Sequence, residues 1–370
     1  MKLTVKGSDL RGAAAWAAKI APSNPPSPVM AGVKLTAGDD LALAAADYET
    51  FGTARCAATV QDAGSAVVSA RLLTAVAKVV TPTADVTLMA DGAQLEIRAG
   101  RATWKLPELE GDLWPQFPSP GEPLGRIDGA ALEDSLSRVA VAADDGKMNQ
   151  EILRGVHMVL GDALTLTATN AYRLAHLPID WTRTSEEQSS AIVPAGVLRH
   201  IGADGDVTIS SDGSVLGLST WRFTVLCRLI AGTYKNVTPI MAGVRKNAAT
   251  TVTVDVQELR SAIESAAILL GETGHLALDF GDEAIEVSKV GGDGDATASV
   301  DVQGFTGDPI SIAVKAEYVK DMLAALQSPS ALFTFTGKSS AGFLVQPCTD
   351  NGELADDYCH LLMPLKLGGK

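Results

Sequence analysis

The feature that most constrains this chain is a repeat. A helical face built on Leu10, Ala13, Ala14 and Ala17 returns as Leu132, Leu136 and Val139, and again as Leu259, Ile263, Ala266 and Leu270. Registering Leu10, Leu132 and Leu259 gives offsets of 122 and 127 residues, and registering Leu72, Val197 and Tyr318 gives 125 and 121. Two independent helices agree on one period, the signature of a tandem array. The 370 residues also exceed the roughly 250–300 at which a single core stops growing. Three similar domains are expected, over 1–122, 123–248 and 249–370.

Within each copy the periodicity alternates between 3.6 and 2. In the first, Ser8 or Asp9 is placed to cap a helix running to Ile20. Alternating runs Val29 to Thr36, Leu41 to Ala46 and Phe51 to Val60 read as strands, followed by a second helix from Ser69 to Val80. Three further short strands lead to Pro115, Pro118 and Pro120, which break the pattern. The second copy opens with Asp128 as a cap and has its second helix over Pro194 to Ile201; the third opens at Asp255, with a second helix from Lys315 to Leu326. Two helices and antiparallel sheets per copy define an α+β class.

The formal charge of -14 argues against a protein that coats nucleic acid with its whole surface, because such affinity grows with the number of phosphates neutralised. A local basic lining is compatible with it. Arg11 and Lys19, Arg71 and Lys78, Arg138, Arg199, Arg260, and Lys315 with Lys320 place cations on all six helices. Ordinary solvated helix charges also explain them, since Glu133, Asp134, Glu258, Glu264 and Asp321 share the helices. Repetition across six helices favours the lining. No run approaches the roughly 18 apolar residues of a membrane span, and the first residues lack the apolar stretch of a signal peptide, so a soluble, cytoplasmic protein is expected, with no membrane partner. Cys56, Cys227, Cys348 and Cys359 show no metal spacing and read as reduced thiols.

Tests for chemistry fail one after another. Gly337-Lys338-Ser339 would need a glycine at position 332, which is Leu332, so there is no phosphate-binding loop. Gly291 to Asp295 reads as a hairpin turn. The five histidines fall in no zinc or nucleophile motif, and Asp144-Asp145 and Asp356-Asp357 are adjacent pairs whose side chains do not converge on a metal. No catalytic residue, metal or cofactor is expected, and the chain is read as a non-enzyme.

One stretch instead resembles a known family. Ala168-Thr169-Asn170-Ala171-Tyr172-Arg173-Leu174-Ala175 is similar to the A-T-D-G-H-R-L-A segment of the β subunit of bacterial DNA polymerase III, the sliding clamp, and Met363-Pro364-Leu365-Lys366-Leu367 is similar to its M-P-M-R-L ending. The resemblance covers the whole chain and the three-copy plan is the clamp's own. It implies a head-to-tail homodimer closing into a ring around double-stranded DNA, gripped without regard to sequence, that tethers the replicative polymerase, the clamp loader and other clamp-motif proteins in the nucleoid. The resemblance implies a dimer interface of Trp104 and Leu106 against Ile268 and Leu269. It also implies DNA-facing cations, for which Arg11, Lys19, Arg71, Lys78, Arg138, Arg199, Arg260 and Lys320 are the candidates.

The partner groove implied by the resemblance takes Leu153, Thr169, Asn170, Ala171, Tyr172, Arg173, Leu174, Leu177, Pro239 and Ile240 from the second domain. From the third it takes Lys315, Tyr318, Leu361, Leu362, Met363, Pro364, Leu365 and Lys366. Its ligand is a short motif with a glutamine and apolar anchors. Asn170-Ala171-Tyr172 replaces the common D-G-H, and Lys315 stands where many clamps have Asn. These changes motivate an alternative: a specialised paralogue or peptide-binding adaptor with an altered groove, for example one tolerant of a groove-binding inhibitor.

Overall fold

The computed structural model describes residues 1–186, 188–197, 205–270, 274–291 and 294–365. The chain packs into two compact units. One comprises Met1–Glu133, Trp181–Glu187 and Gly196–Leu229; the other comprises Asp134–Asp180, Gln188–Ala195 and Ile230–Lys370. The described residues form six α-helices: α1 (Gly7–Ile20), α2 (Ala70–Val79), α3 (Gly129–Ala140), α4 (Thr238–Lys246), α5 (Val256–Ala267) and α6 (Ala316–Leu326).

The first unit holds two antiparallel sheets. A five-stranded sheet runs, in spatial order, Ala58–Asp62, Lys2–Lys6, Asp85–Ala90, Gln94–Ala99 and Ala102–Pro107. A nine-stranded sheet has Phe223–Arg228 beside Thr50–Cys56 at its centre, with Phe51 opposite Leu226. The second unit is built on a twelve-stranded sheet in which Arg173–Ile179 lies beside Cys359–Leu362, with Leu174 opposite Leu361. Alternation along the strands buries one face: Leu3 and Val5, Leu41 and Leu43, and Leu276 and Leu278 all point inward. The helices cover these faces, α1 through Leu10, Ala13, Ala14 and Ala17 and α5 through Leu259, Ile263 and Ala266.

Helix starts follow local chemistry. Asp128 Oδ1 accepts from Ala131 N at 2.9 Å, and Asp255 Oδ1 accepts from Glu258 N at 2.8 Å, as their N-cap positions require. Ser69 caps α2 through Leu72 N. The cap expected at Ser8 or Asp9 is absent: α1 begins at Gly7, whose N–H, like that of Ser8, is bound by carbonyls of residues 84 and 82. A side chain at Gly7 would put its Cβ 2.3 Å from the Thr81 carbonyl oxygen, so backbone contact takes the place of a cap there.

Other expectations are corrected by the strand geometry. Val29 lies in a 3-10 turn, Pro28–Ala31, and the strand starts only at Gly32. Phe51 to Val60 is two strands, Thr50–Cys56 and Ala58–Asp62, which pair in different sheets. Pro194 ends the strand Ser189–Pro194 rather than opening a helix, and Leu198, Arg199 and Ile201 lie outside the described residues. Helix α4 was not expected at all. Pro239 sits in its first turn, and Met241 and Val244 supply its buried face.

Candidate partner-docking site

The site grows from the turn between strands Leu164–Thr169 and Arg173–Ile179. Asn170 Oδ1 accepts from Tyr172 N at 3.1 Å and from Arg173 N at 3.0 Å, while Thr169 Oγ1 donates to the Arg173 carbonyl at 2.6 Å. Short polar side chains close such turns by imitating a backbone partner. Ala171 takes φ 72°, a left-handed conformation that fixes the path of the chain at some cost. The far edge is set by Met363, whose N–H donates to the Tyr172 carbonyl at 2.8 Å.

Two cavities open beside this turn. The larger, about 400 Å³, is lined by the predicted Leu153, Thr169, Ala171, Tyr172, Arg173, Leu174, Ile240, Leu361 and Met363. Its floor is an apolar cluster in which Leu174 and Leu361 pack with Val237, Met241 and Val244. The smaller, about 160 Å³, is lined by Asn170, Lys315 and Tyr318, with Asp145, Lys147 and Glu317 among its charged neighbours; Tyr172 and Arg173 border both. Arg173 is buried and held by Asp321 at 2.7 Å, with its guanidinium carbon 4.4 Å from the Tyr318 ring centroid. Lys315 also faces that ring, at 4.7 Å, and its hydrogen bond to Glu317 holds the Glu317 carboxyl below its usual range.

Some expected residues do not reach the groove. Leu177 and Leu362 are 3% and 1% exposed and serve the core. Pro364 is buried, Pro239 is exposed in the first turn of α4, and Leu365 is drawn to a different cavity, where its N–H donates to the Ala313 carbonyl. Lys366 lies outside the described residues. Conversely, Ile152, Tyr234, Lys235 and Val237 line the larger cavity and were not anticipated. Tyr234 stacks on His157 with centroids 4.8 Å apart. The apolar spacing of Val237, Met241 and Val244 was the available signal for that wall.

The cation set divides sharply. Lys19, Arg71 and Lys78 are exposed, Lys320 is partly exposed, and Arg260 is exposed but paired with Glu264. Arg11 is half-buried and donates to the carbonyls of Ala77, Lys78 and Val80, so it caps the end of α2. Arg138 is corrected: it is 6% exposed, bound to the Ala325 and Leu326 carbonyls and to Asp356, and stacked over Tyr358, which leaves it no route to a phosphate. Arg199 lies outside the described residues. Trp104 is half-buried and Leu106 buried on strand Ala102–Pro107, whereas Ile268 and Leu269 after α5 are 79% and 47% exposed.

The chemistry is that of a surface for apolar side chains. All four cysteines are buried; burial pushes the Cys56 and Cys227 thiols up to about 12 and those of Cys348 and Cys359 up to about 11, so none is a ready nucleophile. Three family descriptions match in succession: the N-terminal domain of the DNA polymerase III β subunit over 1–118, its central domain over 126–236 and its C-terminal domain over 244–365. The chain belongs to the DNA polymerase III β subunit family. Family membership makes it a non-catalytic processivity subunit of that bacterial, cytoplasmic machinery, with DNA and polymerase as its class of partner.

Among its relatives, the β sliding clamp of Streptomyces coelicolor is 29% identical, with all of both chains covered. The β sliding clamp homolog GriR of Streptomyces muensis is 26% identical over 99% of each. The Pseudomonas aeruginosa DNA polymerase III subunit β has the same fold, with a TM-score of 0.89 at 22% identity over 99% of this chain and 100% of that one.

Proposed function

We propose that two copies of this chain close head to tail into a ring that encircles duplex DNA, and that the cavity beside Tyr172 captures short peptides of the replicative polymerase, its clamp loader and other DNA-processing proteins. Domain boundaries near 122 and 248 fit this reading. One observation carries the ring. The last strand of the second copy, Phe223–Arg228, pairs with Thr50–Cys56 of the first, and the last strand of the third, Cys359–Leu362, pairs with Arg173–Ile179 of the second. The same rule leaves two edges over. Ala102–Pro107 ends its sheet, and residues 297–301 pair only with Ala284–Lys289. Joining those edges between copies would repeat the rule and remove both exposed edges. Trp104 and Leu106 lie on the first edge; the exposed Ile268 and Leu269 belong to the same third copy as the second.

A ring holds DNA by topology, so its contacts are free to be few and sequence-neutral. Among the predicted cations in the described residues, Lys19, Arg71, Lys78, Arg260 and Lys320 are left for that task. The test is to load the protein on nicked circular DNA and then linearise it. Release on linearisation is expected; retention would sink the ring. A second reading, a specialised paralogue with an altered groove, draws on Tyr172 at the groove wall and Lys315 over the Tyr318 ring. Normal loading with no stimulation of the replicative polymerase would favour it.

A further inference from the structure

We propose that the turn carrying Trp221 is a stacking site for a base of single-stranded nucleic acid, with Arg222 and Lys19 taking its phosphates. The site goes beyond the ring and does not depend on its closing. Trp221 is 76% exposed, in the turn between strands Val215–Ser219 and Phe223–Arg228. Its backbone is nonetheless held. Thr220 N donates to the Phe223 carbonyl at 2.7 Å, and Thr220 Oγ1 accepts from Arg222 N at 3.2 Å and from Phe223 N at 2.9 Å. The Arg222 carbonyl accepts from Arg55 N at 2.8 Å, which ties the turn to strand Thr50–Cys56. A large ring presented on a fixed turn offers contact area at a low cost in conformational entropy.

The surroundings of the indole identify its occupant. The Arg222 guanidinium carbon lies 5.3 Å from the Phe223 ring centroid, and Phe223 stacks on Trp16 of α1 at 4.9 Å. A Cβ at Gly12 would meet Arg222 Nη2 at 3.0 Å, so the guanidinium rests on the surface of α1. Lys19 is exposed on the same face of that helix, about 10 Å further along its axis. Neither cation makes an ion pair among the described residues, whereas Arg55 is matched by Asp40. The two outweigh Asp9, the acid in the first turn of α1. On a chain of net charge -14, such a local excess of positive charge selects an anion. The aromatic then selects among anions. A peptide's apolar anchor needs a pocket, which so exposed a ring does not provide, but a nucleobase needs only a flat face beside cations for its phosphates. Duplex DNA keeps its base faces within the stack, so the strand must be single.

The experiment measures fluorescence anisotropy of a labelled oligothymidylate of about 12 nucleotides, and of the same strand paired with its complement, on the full chain at low salt. Trp221→Ala should weaken single-strand binding about tenfold with the salt dependence unchanged, and should leave duplex binding within about twofold. Trp221→Phe, which keeps a stacking face, should lose no more than about threefold. Arg222→Gln should weaken single-strand binding and reduce its log–log salt slope by about 0.7, the value of one phosphate contact. Undiminished single-strand binding in Trp221→Ala, an equal loss on the duplex, or a Phe variant as weak as Ala would each overturn the site. Displacement of the oligothymidylate by an oligoglutamate peptide at equal charge would assign the turn to an acidic protein instead, and failure of the unaltered chain to bind the single strand would remove it altogether. Neither outcome bears on the ring, which linearisation tests separately.

Discussion

Two turns of one kind, each with a non-glycine residue in the left-handed position, are used differently. Asp47 Oδ1 accepts from Glu49 N and Thr50 N, as Asn170 Oδ1 does from Tyr172 N and Arg173 N, and the residue after each is left-handed, Tyr48 at φ 76° and Ala171 at φ 72°. Behind the first turn Phe51 faces Leu226 across the sheet; behind the second Leu174 faces Leu361. The difference lies in what covers them. Phe117 packs 5.2 Å from Phe51, with Trp114 and Leu109 on the same cluster, so the linker fills the first site. At the second, Val237 and Met241 form the floor and a cavity stays open above it. One scaffold yields a filled structural joint or an open cavity depending on whether its own linker supplies the covering side chains.

The comparison can be broken most severely by acid. His360, preceding Leu361, is completely buried and burial depresses its pKa to about 3; the residue preceding Leu226 is Val225, which cannot titrate. The unfolded chain binds a proton near pH 6.5 that the folded one refuses until about pH 3, so stability is full above pH 6.5 and is lost as pH falls between those values. The slope should approach ~1.4 kcal/mol per pH unit in urea unfolding, and His360→Val should flatten it. Retention of the whole slope in that variant would remove His360 from the account.

Emptying the filled site should come next. Phe117→Ala should cost roughly 2–3 kcal/mol, less than a fully buried ring because Phe117 is only partly buried, and should create binding of an apolar dye near Phe51. Met363→Ala, at the rim of the open site and 40% exposed, should weaken peptide binding by about 1–2 kcal/mol while shifting thermal stability little. The smallest effect should come from Ala171→Gly and Tyr48→Gly, each relieving left-handed strain and raising stability by ~1 kcal/mol or less. An unequal response would show that the two turns are not equally strained.

Helical spacing and cap residues read directly from the sequence, which is why α1, α2 and α6 fall within a residue of expectation. For the same reason α3 and α5 start after the expected Asp128 and Asp255, although α5 ends at Ala267 and leaves Leu270 beyond the helix. The break at Ala57 could not be read, because both strands alternate and only their pairing in different sheets separates them. Helix α4 was hidden by its length and its place after the Gly232 and Asn236 turn signals. Arg138 failed for a deeper reason: a cation on a helix looks the same in sequence whether it faces solvent or closes another helix's last turn. The Thr169 to Leu174 wall was legible as a strand and turn, but its apposition to Met363 came only through the resemblance, since contacts this distant in sequence leave no periodic trace.

The two leftover strand edges carry a final consequence. The proposed head-to-tail joint contains no instruction to stop: each added copy would present the same free edge it had just covered. Only the angle at which successive copies meet separates a closed pair from an endless thread. On the proposed ring, a substitution that tilts the Ala102–Pro107 edge by a few degrees would therefore leave every copy folded and turn a closed pair into a fibre.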